Sequence, residues 1–101
     1  MQRHSYETIE AVYEQLKALG AVRSTNDFST RWLGMNESYL RCIRAKGTEP
    51  SAKVLARCSS RLKCLSQSMR ANPKLKVKAA GKQLGHLAER CANHVFSDGS
   101  A

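Results

Sequence analysis

The stretch "WLGMNESYLRCIRAKG", residues 32–47, decides how this chain folds. Two bulky apolar residues, Trp32 and Leu33, run straight into Gly34. Short polar residues follow, then Tyr39, Leu40 and Ile43 at helical spacing, then basic side chains and a second glycine, Gly47. The pattern predicts two helices joined by a tight corner. Glycine suits that corner because it enters φ > 0 without a Cβ penalty. Asn36 is expected to cap the second helix, over about 37–46, with Leu40 and Ile43 on its inner side. Met35 and Leu40 are expected to point inward and fix the angle between the helices. Lys46 and Gly47 end the second helix.

Working outward, the helix before the corner spans about 25–33, with Phe28, Trp32 and Leu33 inside. Ser24 or Thr25 caps it and Asp27 lies in its first turn. Further upstream, Tyr6, Ile9, Val12, Tyr13, Leu16 and Leu19 form one apolar stripe, which predicts a helix over 5–19. Ser5 is expected to cap it and Gly20 to end it in the left-handed region. Downstream, "GTEPS" reads as a loop with Ser51 as the next cap. Val54 or Leu55, Cys58, Leu62, Leu65 and Met69 predict a fourth helix over 52–69. "ANPK" breaks it, and Pro73 can open a fifth helix over about 74–95. "SDGSA" reads as a frayed tail. No stretch alternates as a strand does, so the fold expected is all-α with five helices. The organisation expected is a domain over 1–70 and a basic helical extension over 71–101. That extension belongs either to the same compact unit or to a dimer.

A chain of 101 residues with 42% hydrophobic side chains builds one modest core. Aromatic residues are only 6%, so that core rests on aliphatic side chains. No apolar run approaches the ~20 residues of a membrane span. The opening "MQRHSYETIE" has no apolar core of a secretory signal, and a cytoplasmic, bacterial protein is expected. The formal charge is +9, unevenly placed. Residues 1–34 balance Arg3, Lys17, Arg23 and Arg31 against Glu7, Glu10, Glu14 and Asp27, so the whole excess lies beyond residue 34. A one-sided basic surface points to a polyanion.

Without a signal sequence, the four cysteines (42, 58, 64 and 91) are expected as reduced, half-buried thiols. Cys91 and His94 are three apart, but a zinc site needs two close-spaced pairs and only this one is present, so no metal and no cofactor are expected. The three histidines are scattered, none pairs with a carboxylate, and no Gly-rich phosphate loop occurs; an enzyme is not expected.

A helix, a Gly-containing turn and a second helix on a small basic domain form the helix-turn-helix arrangement. Residues 25–62 resemble the phage-repressor and Cro-type (lambda-repressor-like) helix-turn-helix family. "GMNESYLRCIR", "GTEPS" and "AKVLARCSSRL" follow that family's order of turn, recognition helix, Pro-Ser loop and closing helix. The sequence departs from it in two places. Ser29 or Thr30 stands where the family places a small alanine. "FSTRWLG" carries one more residue between its apolar anchor and the glycine, which predicts a helix shifted or extended by one residue.

The resemblance implies a double-stranded DNA-binding transcriptional regulator, a repressor or activator, that reads bases from the second helix. The matching base-reading positions are Asn36, Glu37, Ser38, Tyr39 and Arg41. Arg41 leads, since its fork matches guanine O6 and N7, while Tyr39 packs or stacks. Phosphate contacts are expected from Thr25, Asn26, Arg44, Lys46 and Lys53, with Lys74, Lys76 and Lys78 in the extension. The stripe from Val77 to His94 has the near-3.5 period of a helix seam. It serves either packing on the chain's own first or fourth helix or a homodimer interface through Val77, Leu84, Leu87 and Cys91. Two other classes stand beside the regulator: a protein-interaction module acting as an anti-activator or anti-repressor, and a general nucleoid or RNA binder.

Overall fold

The computed structural model describes residues 4–99, with side chains over 4–95. Five helices follow one another, and no strand occurs among the described residues. They are α1 (His4–Ala18), α2 (Thr25–Asp27 as an α-turn, continuing as a π-helix over Phe28–Trp32), α3 (Tyr39–Lys46), α4 (Ala52–Arg70) and α5 (Leu75–Gly99). The all-α expectation holds, and so do the caps by Ser24 and Ser51, whereas the N-cap of α3 is Ser38 and not Asn36, without a side-chain cap bond. Ser24 Oγ accepts Asp27 N–H at 3.2 Å, and Ser51 Oγ accepts Val54 N–H at 3.3 Å. Gly20, Gly34 and Gly47 all sit at positive φ.

One apolar cluster joins the helices. Ile9, Val12 and Leu16 of α1 meet Phe28 of α2, Leu40 and Ile43 of α3, Leu55, Cys58 and Leu62 of α4, and Leu84, Ala88 and Cys91 of α5. The extension therefore shares the core of the preceding helices. Leu84 and Cys91 are fully buried in it, and Leu87 packs half-buried against it. Of the two roles expected of this stripe, Leu84 and Cys91 take packing within the chain. The seam was legible, but its partner is the chain's own α4.

Small residues make that seam close. Ser59 Oγ donates to the Ala88 carbonyl at 2.8 Å, and Ser66 Oγ donates to the Gly81 carbonyl at 2.6 Å. The two serines are seven apart, as are their two acceptors, which is the antiparallel register of a two-helix seam. A Cβ at Gly81 would stand 3.0 Å from Met69 Cβ and 3.1 Å from the Arg70 nitrogen. At the other end of the hairpin the buried Cys58 thiol bonds Cys91, and that contact, with burial, holds Cys58 well above the usual thiol range.

α1 is tied to α5 by polar contacts. Thr8 Oγ1 donates to the His4 carbonyl at 3.0 Å and accepts from Arg90 at 3.2 Å; His94 Nε2 lies 2.9 Å away.

Several local expectations are corrected. Ser5 lies inside α1 and is buried, so it does not cap that helix from outside. α3 begins at Tyr39, two residues later than expected, because 37–38 form a turn. α5 continues to Gly99, so Ser97 to Gly99 are helical rather than frayed; Ser100 and Ala101 lie outside the described residues. Met35 is 38% exposed and does not wedge the corner. The end of α2 winds as a wider π-turn, in which Leu33 N–H bonds the Phe28 carbonyl at 3.2 Å. An added residue in an α-helix would turn all that follows by about 100°. Winding it as π keeps Phe28, Trp32 and Leu33 all buried.

Candidate nucleic-acid interface

The corner between α2 and α3 is built from a short list of contacts. Gly34 adopts φ +67°, a backbone angle that favours glycine, and the end of the Arg57 side chain lies over it. Asn36 Oδ1 accepts from the Ser38 N–H at 2.9 Å and from the Ser38 hydroxyl at 2.8 Å, which shapes the turn into α3. Ser29, fully buried in α2, accepts the Leu40 N–H at 3.1 Å while donating to the Thr25 carbonyl at 2.8 Å. A hydroxyl therefore stands where Met35 was expected to wedge the two helices.

That joint fixes which side of α3 faces out. Leu40 and Ile43 enter the core, and Arg41, Cys42 and Ala45 are exposed. Arg41 makes no hydrogen bond or ion pair among the described residues. Glu37 is exposed just before the helix and Ser38 is half-buried, its hydroxyl 3.8 Å from Cys42 Sγ. Tyr39 is half-buried against the core, so of its two expected roles the structure gives it packing. Asn36 is exposed, but its carbonyl oxygen is already used within the turn.

Of the phosphate candidates, Lys46 and Lys53 flank the loop between α3 and α4, exposed and without acidic partners among the described residues. Thr25 and Asn26 are half-buried at the start of α2, and their carbonyls accept the Ser29 and Thr30 hydroxyls. Arg44 is committed elsewhere. Its Nε and Nη2 grip the two Glu10 oxygens at 2.5 and 2.9 Å, and its guanidinium lies 5.7 Å over the Tyr13 ring. The bond from Glu10 raises the Arg44 pKa further. Tyr6 donates to the same carboxylate at 2.7 Å, and burial, then that bond, raises its phenol pKa. Arg44 thus braces α3 on α1, a correction to its expected place on phosphate. Thirty-four residues separate it from Glu10, and nothing in the helical spacing announces that reach.

Lys74, Lys76 and Lys78 are exposed at the start of α5. They stand at the far end of α4 from Lys53. α4 has 19 residues, so the separation along its axis is about 28 Å at 1.5 Å per residue. They therefore stand apart from the α3 cations, with the exposed Arg57, Arg61 and Lys63 of α4 in between.

No group of three or more potential metal ligands occurs among the described residues, and all four cysteines are free thiols. No helix among the described residues is long and apolar enough to cross a membrane. No curated protein and no solved structure matches the chain. Residues 9–99 match the family of unknown function DUF6626, and the chain belongs to that family.

Proposed function

We propose that this chain is a sequence-specific double-stranded DNA-binding regulator of transcription, built on a lambda-repressor-like helix-turn-helix formed by α2 and α3. The observation that carries the reading is the split of α3. Its apolar side is locked into the core by Leu40 and Ile43, and its cationic side, led by Arg41, is open to solvent. A major groove is about wide enough for one such helix. Lys46 and Lys53, exposed on either side of the loop after α3, would contact phosphate, and the net charge of +9 favours a polyanion. Arg41, Ser38 and Glu37 would read base edges, with Arg41 on guanine.

Leu84 and Cys91 are buried in the core of their own chain, while Val77 and Leu87 are half-buried. A homodimer on a palindromic site would have to use surface other than Leu84 and Cys91.

Selection of bound sequences from a random duplex pool tests the reading. A DNA reader enriches one motif and loses affinity steeply with salt. A general nucleoid binder shows the salt slope without a motif. Absence of both removes the proposal.

A further inference from the structure

The side of α4 that faces away from α5 meets the end of α2 along a groove of about 610 Å³, lined by Trp32, Arg57, Ser60, Arg61, Cys64 and Leu65. None of these residues belongs to α3. The lining is mostly apolar and open to solvent on one side. Trp32 retains 9% of its surface there, and Leu65 is half-buried against the core.

Two guanidinium groups stand at this groove without anything to neutralise them. Arg57 and Arg61 are exposed, one helical turn apart, and neither has an acidic partner among the described residues. α4, "AKVLARCSSRLKCLSQSMR", contains no carboxylate at all. The acidic residue of α2, Asp27, is occupied by the Arg23 N–H at 3.0 Å and by Arg31 at 3.2 Å. Among the described residues, α2 and α4 therefore hold no carboxylate free to pair with Arg57 and Arg61.

We propose that this groove docks an acidic amphipathic helix of a partner protein. Bulky apolar side chains of the partner cover Trp32 and Leu65, and carboxylates one turn apart pair with Arg57 and Arg61. From Arg57 to Leu65 the groove follows α4 for about 12 Å at 1.5 Å per residue, a length that suits roughly two turns of a docked helix. Duplex DNA would satisfy the arginines but leave the apolar lining wet. A small ligand is normally enclosed over most of its surface, which an open groove does not do. The inference uses no α3 residue, although Arg57 also lies over Gly34 at the corner.

Trp32 is the chain's single tryptophan, so the groove carries its own reporter. The test is selection from a displayed library of 16-residue peptides against the full chain, without nucleic acid. Binding of the winners is then followed by Trp32 emission. Winners are expected to carry apolar residues at i, i+3 or i+4, and i+7, with Glu or Asp beside them. Arg61→Glu should weaken them about tenfold, and Arg61→Lys should keep most of the affinity. Ser60→Glu, at an exposed position between the arginines, gives a second disruption should Arg61→Glu fail to melt like the native chain. The proposal is overturned if no peptide outcompetes the Arg61→Glu control, or if the winners are basic. It is equally overturned if the winners leave Trp32 emission unchanged or are displaced by duplex DNA. If 2-naphthoate shifts Trp32 emission in an Arg61-dependent way and no acidic peptide does, the groove belongs to small apolar acids instead.

Discussion

Ser29 and Leu40 are joined across the corner by a buried hydrogen bond of 3.1 Å, from the Leu40 N–H to the Ser29 hydroxyl. Both residues are fully buried, so water cannot replace that acceptor. Ser29→Ala should therefore leave an orphaned amide at the start of α3 and destabilise the fold by about 1–3 kcal/mol. Urea unfolding checks this: the midpoint should fall while the slope stays constant. An unchanged midpoint would mean that α3 is held by its apolar contacts alone.

Under the proposed DNA reading, Arg41 and Lys53 should separate base reading from phosphate contact. Arg41→Ala should cost about 1–3 kcal/mol on the preferred duplex and relax preference at one base position. Lys53→Ala should weaken all duplexes alike and make the salt dependence shallower. Fluorescence anisotropy with specific and scrambled duplexes distinguishes the two. Equal loss on both duplexes for Arg41→Ala would place the reading head elsewhere.

Arg44 should behave differently from Lys53. Its bidentate pair with Glu10 is partly exposed, with 35% and 22% of the two side chains accessible, so a contribution of about 1 kcal/mol to stability is expected. Arg44→Met should lower the melting temperature and leave the salt slope of DNA binding unchanged. A slope reduced as much as by Lys53→Ala would return Arg44 to the phosphate set.

Gly81 and Gly85 test the α4–α5 seam. Alanine normally favours a helix interior over glycine by about 1 kcal/mol. At Gly81 the new Cβ would press on Met69 Cβ and the Arg70 backbone nitrogen, neither of which can yield easily. Gly81→Ala should destabilise despite the propensity gain, by about 1–2 kcal/mol net. At Gly85 the nearest atom is Ser66 Oγ at 3.1 Å, the end of a small side chain, so Gly85→Ala should be milder. Thermal melts of the two variants should fall in that order.

Asp27 gives the fold a dependence on acid. The Arg23 N–H holds its carboxyl below the usual aspartate range, with Arg31 adding to the effect. A depressed folded value means stability that is present above the ordinary pKa of about 4 and lost as pH falls through the folded value. The native chain should therefore lose more melting temperature between pH 6 and pH 3 than Asp27→Asn does. The group is near the surface, so the difference should be about 0.5–1 kcal/mol. Parallel titration of the two proteins would remove Asp27 from the account.

The five helices were legible because periodicity and punctuation agree: a serine or asparagine opens the later helices, and a glycine or proline lies beyond each of the first four. What escaped was contact between distant side chains. Arg44 looked like one more cation on an outer face, since its Glu10 partner is far away in sequence. Met35 looked apolar enough for a wedge, but the π-turn before it swings the chain so that Ser29 takes that place. Ser59 and Ser66 went unremarked, although their seven-residue spacing matches that of Gly81 and Ala88. The seam period in α5 pointed to a partner helix, and only small residues facing small residues could have told that it was α4. Arg57 and Arg61 carry no signal of a site in the sequence, because the groove beside them exists only once α2 is laid against α4.

The serine-stitched hairpin also bears on the order in which the chain assembles. α4 and α5 adjoin in sequence, so bringing them together closes only a short loop, whereas Thr8 must find His94 across 86 residues. Amides of the hairpin should accordingly gain protection from exchange before those of α1 in pulse-labelled refolding. Earlier protection of α1 would show that the amino-terminal helix, not the hairpin, is the template on which the rest condenses.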